Sequence, residues 1–113
     1  MAVSRITIVN SLPGHENEAQ RLLQELVDFY SKQAGYVAGY AFKFHPSHTD
    51  RKQNMGRISV WESKEAADKA AISTHSAALR SQLNQHVGQS HDEWLVDITG
   101  TPAGLNVKGA AKR

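Results

Sequence analysis

The stretch Ser59-Val60-Trp61-Glu62-Ser63-Lys64-Glu65-Ala66-Ala67-Asp68 decides the fold of this chain. A β-branched apolar residue precedes a tryptophan, and this composition is typical of a strand. Ser63 then stands where a helix N-cap is expected, and alanines follow it. The stretch therefore predicts a strand that passes through a tight turn into a helix.

The segments on either side of this stretch predict the order β-α-β-β-α-β. Strands are expected at 5–11, 37–45, 55–61 and 91–98. Apolar residues at helical spacing predict a first helix over 16–33, ended by Gly35 in a left-handed conformation. The second helix should begin after Ser63, break near 73–74 and resume over 76–87. This order indicates an α+β, ferredoxin-like fold with one antiparallel sheet.

Composition bounds the class of protein. The chain has 113 residues, the length of one domain, and no cysteine, so it has neither disulfides nor a thiolate metal site. It contains no apolar run near the ~20 residues that cross a bilayer, and no signal peptide is evident after Met1. A cytoplasmic protein without membrane contact is expected.

The basic charge is concentrated at the C-terminus. The formal net charge is +2, but residues 1–100 hold ten Lys and Arg against eleven Asp and Glu. The remaining basic residues are Lys108, Lys112 and Arg113. We therefore expect a folded domain over 1–100 and a flexible basic tail over 101–113, and no nucleic-acid partner, because such a partner needs a basic folded face.

Both faces of the predicted sheet carry apolar side chains. Ile58 and Val60 point to one side of the third strand, and Trp61 points to the other. Helices cover one face only, and the chain is too short to cover the second. The pattern predicts a homodimer that buries the face of Ile58 and Val60.

Several of these motifs together resemble the antibiotic biosynthesis monooxygenase (ABM) family over residues 4–98. They are the Trp61-Glu62-Ser63 run with His75 fourteen positions after the tryptophan, Leu12-Pro13-Gly14, and Ala34-Gly35-Tyr36. The resemblance, nearest to the quinol-monooxygenase-like branch, implies a dimeric α+β barrel. It also implies a cofactor-independent monooxygenase acting on a small phenolic or quinol compound.

The resemblance further implies a substrate cleft between sheet and helices, bordered by Trp61. Ser59 and Arg57 share the strand face of this tryptophan, and Thr7 would join them from the neighbouring strand, together with Val9. These residues are the candidate substrate-binding set. The alternative for Trp61 is a large core residue at the end of a strand.

Arg57 is a cation in the middle of a short strand, where burial is costly without a partner. Glu93 or Asp97 on the last strand could pair with it. Alternatively, it could orient a phenolate, a quinol oxygen or a carboxylate.

His75 is the candidate catalytic residue. It lies four residues before Leu79 and eight before Leu83, which places it on a buried, cleft-facing side of the helix. A histidine can accept a proton from an acidic phenol. The alternative is that His75 only caps the resumed helix or packs against its neighbours.

Departures from other ABM branches narrow the function. The branch that oxidises aromatic polyketides has Asn and Tyr where this chain has Arg57 and Ala67. The haem-degrading branch has Trp and His where Ala70 and Arg80 stand, and Asn at Thr7. Haem degradation is therefore disfavoured, and no cofactor is expected.

Metal ligation is weakly indicated. His45, His48 and Asp50 are ligand types in one predicted loop, and His91-Asp92-Glu93 is a similar group, but neither has supporting order around it. We expect no metal. Two further functions stay open at this point: a non-catalytic ligand-binding or interaction module, and an isomerase or cyclase of an aromatic pathway.

Overall fold

The computed structural model describes residues 2–45, 53–88 and 92–100. Its elements in chain order are β1 (Val3–Val9), α1 (Glu16–Tyr30), β2 (Tyr36–Lys43), β3 (Met55–Trp61), α2 (Lys64–Ala71), α3 (Thr74–Asn84) and β4 (Asp92–Asp97). The predicted order is confirmed, with the second helical segment divided into α2 and α3.

The strands form one antiparallel sheet in the order β2-β3-β1-β4. The register places Tyr40, Ile58, Ile6 and Trp94 in one row across all the strands. Thr7 lies opposite both Arg57 and Glu93 in the next row, whose side chains point to the other face. The predicted ferredoxin-like α+β fold is confirmed.

Helix boundaries follow the serine caps that the sequence supplies. The Ser63 hydroxyl accepts a hydrogen bond from the Ala66 amide at 3.1 Å and begins α2. The Ser73 hydroxyl accepts from the Ser76 amide at 3.2 Å and begins α3. These contacts satisfy backbone donors that the first helical turn leaves unpaired.

The end of the first helix differs from the prediction. The helix α1 ends at Tyr30, with Ser31 as its C-cap, rather than at residue 33. Gly35 does adopt a left-handed conformation, with φ of 85°, but as part of the turn into β2. A Cβ at this glycine would lie 2.5 Å from the Cβ of Ala66, so close packing against α2 also requires glycine here.

The helices pack on one face of the sheet, and this interface forms the core. Trp61, Leu22, Leu23 and Leu26 are at most 1% exposed. Burial of large apolar side chains contributes about 1.5–3 kcal/mol each. The core therefore joins β3 firmly to α1, which fixes the helix face that borders the site described below.

The opposite face of the sheet exposes large apolar side chains. Tyr40 is 60% exposed, Trp94 47% and Val96 41%. Ile58 and Val60 lie in the same rows as these residues, as the alternation of β3 predicts, and are half-buried. We call this surface, made of Tyr40, Ile58, Val60, Trp94 and Val96, the outer sheet face.

Two sequence-based expectations concern parts of the chain beyond the core. None of the helices in the described ranges is long and apolar enough to cross a membrane. The predicted tail over 101–113 lies outside the described residues.

Candidate functional site

A cavity of ≈ 120 Å³ lies between the sheet and the helices α1 and α3. Its walls contain both apolar and polar side chains. The lining residues are Thr7, Val9, Leu26, Arg57, Arg80, Leu83, Asn84 and Glu93. Of the predicted set, Arg57 and Thr7 line the cavity, as does Val9.

Arg57 is the central charged group of this cavity. It is 2% exposed, and its guanidinium carbon lies 4.8 Å from the ring centroid of Tyr30. Its Nε and Nη1 atoms are buried and have no hydrogen-bond acceptor among the described residues. A buried cation with unpaired donors is unfavourable by itself, so the arrangement suits an anion or another acceptor in the cavity.

The predicted ion pair of Arg57 with Glu93 or Asp97 is wrong. Among the residues that the structure describes, no carboxylate forms a salt bridge with this guanidinium. Asp97 lies opposite Val3, well along the strand from Thr7 and Arg57.

Burial and the neighbouring charged groups both affect the pKa of the Arg57 guanidinium. Burial lowers the pKa of its guanidinium, and repulsion by Arg5 and Arg80 acts in the same direction. Attraction to Tyr30 and to Glu93 opposes the shift in part. Arginine keeps its charge even so, because its pKa begins far above neutral pH.

Further polar groups of the site come from β1, β4 and α3. The Thr7 hydroxyl donates to Oε2 of Glu93 at 3.3 Å, which fixes the carboxylate at the edge of the cavity. Arg80 reaches the cavity from α3 and donates from Nη2 to the carbonyl of Ala71 at 2.6 Å. Its Nε is buried without an acceptor in the described part of the chain.

Trp61 lies in the core beside the cavity and is not part of its lining. It is 1% exposed, and its indole nitrogen donates to the Ser59 hydroxyl at 2.9 Å. The edges of Tyr30 and Tyr36 contact the indole at centroid distances of 5.9 and 5.4 Å. Because Tyr30 also lies under Arg57, Trp61 supports the position of that guanidinium through the tyrosine ring.

The expected burial of His75 is wrong. The residue is exposed, and its ring stacks on Phe29 of α1 at a centroid distance of 4.6 Å. It is not among the residues that line the cavity. Of the alternatives, the helix cap is not observed, since Ser73 is the N-cap of α3, whereas the stacking on Phe29 is a packing contact.

Sequence reasoning missed Arg80 as a site residue. In a helix each residue advances by about 100°. Arg80 and His75 therefore lie on opposite flanks of the stripe formed by Leu79 and Leu83. Arg80 follows Ser76 by four positions, and Ser76 is fully buried against the Tyr30 hydroxyl. The spacing from that serine was the signal that could have placed Arg80 at the cavity.

The described residues contain no group of three or more side chains that could hold a metal ion. His48, Asp50 and His91, which were considered as ligands, lie outside the described residues.

Comparisons with solved structures identify the fold. A variant of SnoaB, a cofactor-independent oxygenase from Streptomyces nogalater, matches with a TM-score of 0.74 at 15% identity, covering 88% of this chain and 95% of that one. Rv0793 from Mycobacterium tuberculosis matches with a TM-score of 0.77 at 13% identity, over 89% and 98% of the two chains. An antibiotic biosynthesis monooxygenase gives 0.72 at 19% identity, over 87% and 99%.

Searches against family models and curated proteins do not detect these relationships. Neither a family model nor a curated protein matches the chain. The chain nevertheless has the fold of structurally characterised ABM proteins, which confirms at the level of the fold the resemblance seen in the sequence.

Proposed function

We propose that this protein is a cofactor-independent monooxygenase that acts on a small phenolic or quinol compound in the Arg57 cavity. The observation that carries the proposal is the buried guanidinium of Arg57, which has unpaired donors and belongs to a residue that lines a cavity between sheet and helices. The shared fold with SnoaB, an oxygenase that needs no cofactor, supports the same reaction class.

The chemistry requires an electron-rich anion. Loss of a proton from a quinol hydroxyl gives a phenolate that transfers electrons to molecular oxygen. One oxygen atom joins the ring, the other leaves as water, and the product is a hydroxyquinone. The quinol supplies all the electrons, so the protein needs only to bind the anion and accept its proton. A buried guanidinium such as Arg57 binds such an anion through charge-assisted hydrogen bonds.

The proton acceptor is assigned by position. The role of His75 in proton removal stays a prediction, and its exposed site on Phe29 lies away from the cavity lining. Glu93 lines the cavity and is oriented by Thr7. A general base must reach the proton that it removes, so Glu93 is the better-placed acceptor.

Oxygen consumption tests the proposed reaction. The purified protein should accelerate oxygen uptake by one or more members of a panel of hydroquinones and polyphenols, without added flavin or metal and in the presence of a chelator. The rate of oxygen uptake should be proportional to protein concentration. The reaction should give no more than one hydroxyquinone for each quinol consumed. Arg57→Gln should chiefly raise KM, because it removes an interaction made in ground and transition states alike.

Arg21 supplies the matched control for this experiment. It is an exposed arginine of α1 that pairs with Glu18 and Glu25, away from the cavity. Arg21→Gln should leave the kinetics unchanged. Circular dichroism must first show that the Arg57 variant is folded. A panel without turnover would contradict the enzyme proposal and favour a ligand-binding module of the same fold.

We also propose that the protein is a homodimer formed through the outer sheet face. The support is the continuous apolar surface that Tyr40, Trp94 and Val96 expose across the sheet. Apolar patches of this kind mark interaction sites on small proteins. Two copies packed sheet to sheet would bury these side chains on both partners.

Light scattering after size exclusion tests the dimer. The expected mass is twice the 12.4 kDa of one chain. Trp94→Glu should shift the protein to a monomer, because it places a charge among the apolar side chains that the dimer would bury. Ile72→Glu is the control, since Ile72 is 81% exposed but caps α2 away from the sheet face. A wild-type monomer at micromolar concentration would overturn the assembly.

A further inference from the structure

The cavity contains two guanidinium groups that approach from different elements. Arg57 belongs to β3 and Arg80 to α3, and both line the same space. Three of their nitrogen atoms are buried and have no hydrogen-bond acceptor among the described residues. They are Nε and Nη1 of Arg57 and Nε of Arg80. Unpaired buried donors are rare in folded proteins. In the described part of the chain, the one such side-chain atom outside these two arginines is Nε of Arg5.

Charges around the cavity are unbalanced. The lining holds two arginines and a single carboxylate, that of Glu93. The nearby Arg5 pairs with Asp68 at 2.9 Å and is not among the residues that line the cavity. Repulsion between Arg80 and Arg57 contributes to the lowered pKa of Arg57. One negative charge is thus missing from the cavity, and a bound anion would supply it.

The form and size of the cavity define that anion further. Val9, Leu26 and Leu83 supply apolar walls, and Thr7 and Asn84 are the remaining polar residues of the lining. The volume of ≈ 120 Å³ is of the order of the engineered cavity of about 150 Å³ that binds benzene. One aromatic ring therefore matches the scale of the cavity.

We propose that the ligand of this cavity is a single-ring aromatic carboxylate whose carboxylate group is held jointly by Arg57 and Arg80. A carboxylate has two oxygen atoms and matches the planar N–H pairs of arginine, whereas a phenolate offers only one oxygen. The inference rests on the cavity being the ligand site of the proposed function, and it narrows the substrate to carboxylated phenols or quinols.

Binding of matched probes tests the selectivity. Benzoate and benzamide have nearly the same shape but differ in charge, and calorimetry gives the dissociation constant of each. Benzoate should bind at least about tenfold more tightly, because its charge-assisted hydrogen bonds replace neutral ones. Phenol at high pH serves as the single-oxygen anion and should bind more weakly than benzoate. Chloride and sulfate should compete poorly, since they leave the apolar walls unfilled.

Variants of Arg80 test the shared recognition. Arg80→Gln should reduce the preference for benzoate over benzamide to near parity, while Arg21→Gln should retain it. If Arg80→Gln is unfolded, Arg80→Lys provides the second variant. That change keeps the positive charge but removes the Nε donor. It should lower the preference for benzoate over benzamide without abolishing it.

Several results would overturn the inference. They are equal affinity for benzoate and benzamide, a preference unchanged in both Arg80 variants, and binding of sulfate as tight as that of benzoate. The test is independent of turnover. A carboxylate preference without any oxygen uptake would sustain the ligand class and contradict the oxygenase. Turnover of neutral quinols without a carboxylate preference would support the oxygenase and contradict the ligand class.

Discussion

Trp61→Ala is expected to destabilise the fold by about 3–5 kcal/mol, the usual cost of emptying a buried tryptophan site. The indole is 1% exposed and lies between the edges of Tyr30 and Tyr36. Its removal leaves a cavity at the junction of β3 and α1 and takes the donor away from the Ser59 hydroxyl. Because small domains are stable by only about 5–15 kcal/mol, urea denaturation should show a large fall in the midpoint.

The control for this prediction is Ile72→Ala. Ile72 is also a large apolar residue but is 81% exposed, so the change should alter the free energy of unfolding by less than about 0.5 kcal/mol. Trp61→Phe should give an intermediate loss of stability, since one six-membered aromatic ring remains but the second ring with its N–H donor is removed. A cost for Trp61→Ala as small as that of the control would show that Trp61 is not a core residue, and its role as a cleft wall would regain support.

The elements that the sequence predicted well are those with a strong local signal. The bounds of β3 at Met55 and Trp61 were predicted correctly because alternation and a following serine cap both mark them. The end of α1 was missed because Lys32 and Gln33 continue the helical composition while the backbone already turns at Ser31. Such ends are decided by packing against the next element, here the contact of Gly35 with Ala66, which one sequence does not display.

The site was predictable only where strand geometry determines it. Alternation placed Arg57 on the helix-facing side of β3, and Thr7 followed from the usual strand order. The helix residues were assigned less well, because a stripe of two leucines allows either flank to face the sheet. His75 was placed on the wrong flank, and Arg80 on the other flank was not recognised as a cavity residue.

The same geometry separates two hypotheses for proton removal. The sequence-based hypothesis assigns this step to His75, whereas the cavity lining favours Glu93. Glu93 accepts a hydrogen bond from Thr7 and lies close enough to Arg57 to influence the pKa of its guanidinium. An anion formed next to Glu93 would therefore be received by Arg57, so that the proton and the charge are held by neighbouring groups.

Glu93→Gln is accordingly expected to lower kcat by about 10²-fold, the usual scale for loss of a general base. The amide preserves the shape of the side chain and can still meet the Thr7 hydroxyl, but it does not accept a proton at neutral pH. The oxygen-uptake assay measures this loss. His75→Ala serves as the comparison and should remain near wild type, because its exposed ring stacks on Phe29 and is not among the residues that line the cavity. A large loss in His75→Ala together with an active Glu93→Gln would reverse the assignment and require α3 to present its other flank to the substrate.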